Sequence, residues 1–203
     1  MEADMKTWMD LLFGGSHRLG DRQIELYEFC IPSEITFRRL AQVFEDCSNL
    51  LAPYSDETLN RAFWDLSSVW YALGDDSIPE DLRRRVINSF VTLFRELFAK
   101  RCSPVLGERS EQGSPLNSAC YMWWDFDCWY SIPGTELVEA MRSILAINHA
   151  ACQESALHGL GHWHHRQQAA AVERIVDEFL KREADLRPEL RKYAQAVRIG
   201  CVQ

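Results

Sequence analysis

The chain has 203 residues, of which 47% are hydrophobic, and its 30 acidic residues outnumber its 22 basic residues to give a net charge of −8. This hydrophobic content excludes a disordered chain, and no apolar run reaches the roughly 18 residues that a membrane span needs. The negative charge disfavours a nucleic-acid partner because it repels a phosphate backbone. We therefore expect one globular domain over residues 1–203 that binds neither nucleic acid nor a membrane.

The start of the chain and its cysteines both favour a cytoplasmic protein. The first residues lack the basic and apolar regions of a secretory signal. The seven cysteines are scattered and form no Cys-x-x-Cys pair, so we expect reduced, mostly buried thiols.

Hydrophobic periodicity predicts an all-α fold. Nearly every segment repeats its apolar residues at the 3.6-residue period of a helix, and none shows the alternation of a half-buried strand. In the first half, capping and stop signals predict three helices. Their boundaries are Ser33 to Pro53, Ser55 or Asp56 to Gly74, and Pro79 to Lys100. We expect Gly74 to end its helix in a left-handed conformation.

The second half begins with a change of composition. Residues 103–117 are rich in Ser, Pro, Gly and charge, which predicts a mobile loop and a candidate internal break in the domain. The aromatic segment 120–130 follows. It is predicted to be a helix that is apolar all round, and such a helix is normally core. The alternative is that its aromatic residues line a binding groove. Further helices are predicted from Thr135 to Asn148, through the histidine segment, from 169 to 182, and from about Pro188.

Two segments look alike as helix-turn-helix units. They are Leu59 to Arg101, centred on Ala62-Phe-Trp-Asp-Leu66, and Ser155 to Arg182, centred on Ser155-Ala-Leu-His-Gly-Leu-Gly161. At these positions the chain resembles HEAT-like α-solenoids, although it lacks the regular Pro, Asp and Arg positions of those repeats. The resemblance implies antiparallel helix pairs stacked as a short, irregular solenoid. An irregular helical bundle is the alternative.

Five of the six histidines lie between His149 and His165. On a helix, Glu154, His158, His162 and His165 share one face within about 80°. Two histidines one turn apart with a carboxylate can bind zinc or another divalent ion. The predicted ligands are Glu154, His158 and His162, and His149 or His165 would complete the shell. A fourth ligand would come from elsewhere: His17, Asp125 or Asp127. The same face would also suit imidazoles that only bond to neighbouring helices or to water.

Two glycines interrupt this helix. Gly159 and Gly161 each cost about 1 kcal/mol relative to alanine, so another interaction must offset them. Close approach of a crossing helix is one explanation, and a kink that directs His162 towards a ligand is the other.

No catalytic motif is complete around the histidines. A zincin places its catalytic Glu beside the first His, whereas Leu157 and Gly159 flank His158, and the His-Asp pair of HD phosphohydrolases is also missing. The sequence therefore favours a non-enzymatic, cofactor-free protein-binding module with a scaffold, regulatory or neutralising role. The predicted binding surface comprises Glu154, His158, His162, His165, Trp123, Trp124 and Asp125. The alternative is a metal-binding protein or metal-dependent hydrolase that uses the histidine face.

Overall fold

The computed structural model describes residues 4–14, 18–19, 22–23, 34–126, 129, 132–182 and 185–201. Within these ranges the chain is all-α, as its periodicity predicted, apart from a two-residue antiparallel ladder between β1 (Arg18–Leu19) and β2 (Arg22–Gln23). The helices are α1 (Met5–Phe13), α2 (Glu34–Glu45), α3 (Cys47–Leu50), α4 (Asp56–Asp65), α5 (Ser67–Trp70), α6 (Glu80–Leu93), α7 (Ala99–Arg101), α8 (Leu116–Tyr121), α9 (Gly134–Leu145), α10 (Ala150–Trp163), α11 (Ala169–Arg182) and α12 (Pro188–Arg198).

Local sequence signals set several helix ends. The Ser55 hydroxyl caps α4 by accepting from the Thr58 N–H, and Pro188 occupies the first turn of α12. The left-handed conformation expected at Gly74 is wrong, because Gly200 is the only glycine with positive φ in the described part of the chain. Gly74 instead ends a 3₁₀ turn in which the Asp75 N–H bonds to the Ala72 carbonyl. Ser33 lies outside the described residues.

Two π-helical turns join helices that follow each other in sequence. Phe94–Phe98 links α6 to α7, so the predicted helix from Pro79 to Lys100 is one helical run. His164–Gln168 likewise links α10 to α11, where the sequence predicted two separate helices. No proline or glycine between 164 and 168 stops the backbone there. The histidine segment is therefore part of a continuous run from 150 to 182.

The aromatic segment departs from its predicted helix. The helix α8 begins at Leu116, inside the predicted loop, and a 3₁₀ turn at Met122–Trp124 replaces a continued α-helix. The Trp123 carbonyl accepts a hydrogen bond from the Trp129 indole at 3.0 Å, which uses an acceptor that a longer helix would need. The chain therefore leaves the helix before Asp125.

Aromatic side chains fill the centre of the core. Trp123 has ring contacts with Phe63, Phe90 and Phe98 at centroid distances of 5.3–5.8 Å. Buried apolar residues from Trp8 to Val197 form one cluster that includes both sides of the 103–117 segment. The prediction that the aromatic segment is core is confirmed for Trp123, Trp124 and Trp129.

The histidine helix α10 is central. It packs against α8, α9 and α12, and every residue from Ala151 to Gly161 is buried. Neighbouring helices therefore cover both the histidine face and the opposite face of α10 for most of its length. Among the described helices, none is both long and apolar enough to cross a membrane.

Candidate metal centre

Three side chains from two parts of the fold converge at one point. Nε2 of His158 and Nε2 of His162 lie 2.5 Å and 2.8 Å from the same Oδ1 atom of Asp125. The two Nε2 atoms are 3.2 Å apart. In the described part of the chain, this is the only group of three His, Cys, Asp or Glu residues whose ligand atoms are this close. We call these three residues the triad.

The local backbone explains how the triad assembles. His158 and His162 lie one turn apart on α10, and Asp125 directly follows the 3₁₀ turn that ends at Trp124. A Cβ at Gly159 would lie 2.6 Å from Cγ of Trp124 and 2.8 Å from Sδ of Met141. Glycine therefore lets the indole pack directly on α10 and brings Asp125 over the imidazoles. This geometry favours close packing, rather than a kink, as the reason for Gly159.

The triad lies at the edge of the buried interior. The His158 side chain is 4% exposed, whereas those of Asp125 and His162 are 22% and 29% exposed. Burial by itself would raise the pKa of Asp125, but its hydrogen bonds and charge interactions with both histidines outweigh burial and hold that pKa well below its usual range. The carboxylate is therefore ionised, and solvent can reach the group from one side.

Two tyrosines, Tyr193 and Tyr121, contact the His158 imidazole. Nδ1 of His158 lies 2.8 Å from the Tyr193 hydroxyl, and the Tyr121 ring lies 4.7 Å from the imidazole. Burial raises the pKa of Tyr193, and Tyr121 and Glu154 raise it further, so the hydroxyl stays protonated. The sequence placed Tyr193 in the apolar face of the last helix and gave no signal for this contact, which joins residues 35 positions apart.

No protein-family model, curated protein or solved structure matches this chain. The resemblance to HEAT-like α-solenoids therefore stays a prediction, and so does the choice between a solenoid and a bundle.

Glu154 is turned away from the triad. It is 2% exposed, and its two carboxylate oxygens accept hydrogen bonds from the backbone N–H groups of Gly107 and Glu108 at 2.7 Å and 3.1 Å. Burial raises the pKa of Glu154 to about 7, although these two hydrogen bonds oppose the shift. The structure thus brings Asp125, rather than Glu154, to the two imidazoles. It also ties the predicted mobile loop to α10.

The other candidate ligands lie elsewhere. His165 is exposed and its Nε2 bonds to the Gly200 carbonyl at 2.7 Å. His149 is at the opposite end of α10, where Nε2 lies 3.2 Å from the Cys102 carbonyl. His17 and Asp127 are outside the described residues. None of the described candidates therefore completes a shell around the triad.

The predicted protein-binding surface is largely internal. Trp123, Trp124, Glu154 and His158 are all at most 3% exposed. Asp125 and His162 are partly exposed, and His165 is exposed. Only the last three could therefore meet a partner without a change in conformation.

The triad has the donor set of a transition-metal site. Two imidazole nitrogens and one carboxylate oxygen suit zinc or iron(II), and three protein ligands leave coordination positions for water or a substrate. Around a tetrahedral ion with bonds of about 2.0–2.1 Å, donor atoms stand roughly 3.3 Å apart. The observed triangle of 2.5, 2.8 and 3.2 Å would have to widen by a few tenths of an ångström on average. The partial exposure of Asp125 and His162 makes this adjustment feasible.

Proposed function

We propose that this protein binds a divalent transition metal, zinc or iron(II), through Asp125, His158 and His162, and that it keeps coordination positions open for reaction with a small substrate. The observation that carries the proposal is the convergence of two Nε2 atoms on one carboxylate oxygen, with all three atoms within 3.2 Å of one another. Two histidines and one carboxylate that occupy one face of an ion, with the other coordination positions open, form the ligand set of a facial-triad site.

Hydrogen bonding alone is the alternative explanation of the same geometry. If both Nε2 atoms carry a proton, one carboxylate oxygen accepts from two N–H groups whose nitrogen atoms are 3.2 Å apart. A cation would instead let all three atoms direct lone pairs at it. Metal binding and hydrogen bonding alone are separated by the metal analysis below.

The outer contact of His158 fits metal binding. Binding through Nε2 requires the proton on Nδ1, and the Tyr193 hydroxyl can accept that proton in a hydrogen bond. Metal-ligating histidines usually have such a partner, which fixes the tautomer and the orientation of the ring. Tyr193 is thus a positioning residue for His158.

A bound divalent ion would supply Lewis-acid chemistry or a water molecule of lowered pKa, which are the requirements of a hydrolase or an oxygenase. Phe126, the residue after Asp125, makes an edge-to-face contact with the exposed Trp64 at a ring-centroid distance of 6.0 Å. This pair would favour a substrate with an apolar part.

Metal content and cobalt(II) titration test the proposal. Tag-free protein is expected to retain near-stoichiometric metal, and the metal-free form should bind cobalt(II) with the absorption bands of a low-coordinate site. His162→Gln and Asp125→Asn should abolish binding, whereas His165→Gln, on the same helical run, should retain it. Glu154→Gln should also retain it, which separates the triad from the set that the sequence predicted. Less than about 0.1 equivalent of metal together with no saturable cobalt binding would contradict the proposal.

The protein-binding module is the second proposal. It is supported by the exposed aromatic side chains of Trp64 and Tyr71, since aromatic residues are enriched at binding hot spots. A pull-down with wild-type protein and with a Trp64→Ala, Tyr71→Ala double variant tests it. One partner that is retained by the wild type and lost by the double variant would support this proposal. A screen without a specific partner would contradict it.

A further inference from the structure

Tyr121 and Tyr193 form a pair of hydroxyl groups beside the triad. The Tyr193 hydroxyl lies 2.8 Å from Nδ1 of His158 and also shares a hydrogen bond with the Tyr121 hydroxyl. Burial raises the pKa of both tyrosines, so both hydroxyls stay protonated. Tyr121 is therefore connected through Tyr193 to the ring nitrogen of His158 that does not contact Asp125.

Two contacts hold the Tyr121 ring in place. Its centroid lies 4.7 Å from the centroid of the His158 ring. It also packs against Gly107, where a Cβ would lie 2.9 Å from Cγ of Tyr121. The Gly107 N–H bonds to Glu154 at 2.7 Å. Glu154 therefore supports Tyr121 through the loop, although it does not contribute an oxygen to the triad.

In metal-free protein, the contacts of His158 determine which ring nitrogen carries the proton. Nε2 lies 2.5 Å from Oδ1 of Asp125, and an ionised carboxylate can only accept hydrogen bonds. Nε2 is therefore protonated, and Nδ1 of the neutral imidazole is an acceptor. In this state the Tyr193 O–H donates to Nδ1, and the Tyr193 oxygen can accept from the Tyr121 O–H.

Metal binding requires the opposite tautomer. When Nε2 binds a metal ion, the ring proton must be on Nδ1, which then donates to the Tyr193 oxygen. The Tyr193 O–H needs another acceptor within the protein, since this residue is only 9% exposed. The Tyr121 oxygen can be that acceptor, and water can accept the Tyr121 O–H because Tyr121 is partly exposed. A hydroxyl suits both states because it can donate and accept.

We propose that Tyr121 is a second positioning residue for metal binding, and that it acts on His158 through the Tyr193 hydroxyl. This inference rests on the proposed metal site. The hydrogen bonds that join Tyr121, Tyr193 and His158 reverse their direction when His158 changes tautomer. Tyr121 favours the metal-bound state, because without its oxygen the buried Tyr193 O–H is unpaired only when metal is bound.

A double-mutant cycle tests this dependence. Zinc affinity is measured by competition with a chelator for the wild type, Tyr121→Phe, Tyr193→Phe and the double variant. Tyr121→Phe keeps the aromatic ring and should weaken zinc binding by about tenfold, because a buried donor loses its acceptor. In the Tyr193→Phe background the same change should have no further effect, since no O–H remains to be accepted. Equal losses in the two backgrounds, or no loss in Tyr121→Phe, would overturn the proposal.

Nitrogen NMR of the histidine rings adds a measurement that a purely structural role of Tyr121 would not affect. At about pH 8.5, above the ordinary pKa of an imidazole, His158 should carry its proton on Nε2 in metal-free protein and on Nδ1 after zinc is added. His158→Gln assigns the signals. A proton on Nδ1 in the metal-free protein would contradict the reversal.

The control for both measurements is Tyr54→Phe. It removes a hydroxyl that bonds to Asp10 at 2.8 Å, away from the triad, and should match the wild type in zinc affinity and in tautomer. The two proposals fail in different ways. A wild-type protein that does not bind zinc would contradict the metal site itself. A wild-type protein that binds zinc, with equal losses in the two backgrounds of the cycle, would contradict only the role of Tyr121.

Discussion

Gly159 and Trp124 are packed so closely that no other residue fits at position 159 without a shift of the indole, since a Cβ would lie 2.6 Å from Cγ of Trp124. Asp125 follows Trp124, and His158 precedes Gly159. The contact therefore fixes the separation of the carboxylate and the imidazole that form the triad.

Replacing Gly159 by alanine should destabilise the protein. In an open helix this change gains about 1 kcal/mol, but here the methyl group would displace the Trp124 ring and Sδ of Met141. We expect a net loss of about 1–3 kcal/mol in the free energy of unfolding, measured by urea denaturation, because the core is overpacked. Cobalt(II) affinity should fall too, since Asp125 moves with Trp124. Ala170→Gly, at an exposed position of α11, is the control and should cost about 1 kcal/mol without affecting cobalt binding. A more stable Gly159→Ala protein would show that the packing is loose.

Tyr193→Phe should weaken metal binding while leaving the triad intact. The variant keeps the ring but removes the hydroxyl that lies 2.8 Å from Nδ1 of His158, so the metal-binding tautomer loses its acceptor. Loss of such an outer contact typically costs 10–100-fold in metal affinity. Competition with a chelator measures the change. Tyr54→Phe removes a hydroxyl that is bonded to Asp10, away from the site, and should bind metal like the wild type. Equal affinities in all three proteins would exclude a positioning role for Tyr193.

The low pKa of Asp125 predicts a pH-dependent contribution to stability in metal-free protein. A carboxyl whose pKa is lower in the folded state stabilises the fold above its unfolded pKa of about 3.9, and this contribution is lost as the pH falls towards the folded value. Asp125→Asn should therefore be less stable than wild type near neutral pH, and the difference should narrow below about pH 4. Asp76→Asn, at an exposed position, should differ little from wild type in its free energy of unfolding at any of these pH values. If the difference in unfolding free energy between wild type and Asp125→Asn stays constant down to about pH 2, the histidines do not selectively stabilise the Asp125 carboxylate.

Glu154 predicts the opposite pH dependence. Burial raises its pKa to about 7 in the folded state, from an ordinary value of 4.5, so the folded chain binds this proton more tightly than the unfolded chain. The contribution of this group to stability is therefore present below about pH 4.5 and is lost as the pH rises to about 7. Glu154→Gln should remove that slope from the unfolding free energy, whereas Glu139→Gln, exposed on α9, should preserve it.

Hydrogen exchange of the Gly107 and Glu108 amides tests the role of Glu154 independently of the unfolding free energy. A glutamine offers one carbonyl oxygen in place of two carboxylate oxygens, so the Gly107 or Glu108 N–H loses its acceptor in Glu154→Gln. Faster exchange at these two amides is expected near neutral pH. Unchanged exchange at both would show that Glu154 does not hold the loop.

Periodicity and local signals predicted the helical content and much of the core. The apolar spacing in 80–101 and 134–145 and the cap at Ser55 act within a few residues, so they are readable before folding. The failures were also local in origin. Local signals predicted a left-handed cap at Gly74 and a helix that continues past Trp124. In the structure, the Asp75 N–H bonds to the Ala72 carbonyl in a 3₁₀ turn that ends at Gly74. The Trp129 indole bonds to the Trp123 carbonyl, so the helix does not continue past Trp124.

The triad could be predicted only in part. His158 and His162 share a face because 3.6 residues make one turn, and the sequence named both together with Asp125 as one of several added ligands. The spacing could not show that Asp125, 33 residues from His158, would take the place of Glu154. It also could not show that Glu154 would bond to Gly107, 47 residues away.

The amino-acid sequence by itself determined that this chain is helical, which residues form its apolar core and which two imidazoles lie one turn apart, because these properties depend on neighbours within about one helical turn. The tertiary structure decided that α10 is buried over most of its length, that Asp125 completes the triad, and that Glu154 bonds to Gly107 instead. Each of these depends on which distant segments pack against α10, and that choice is made by the shape of the whole core.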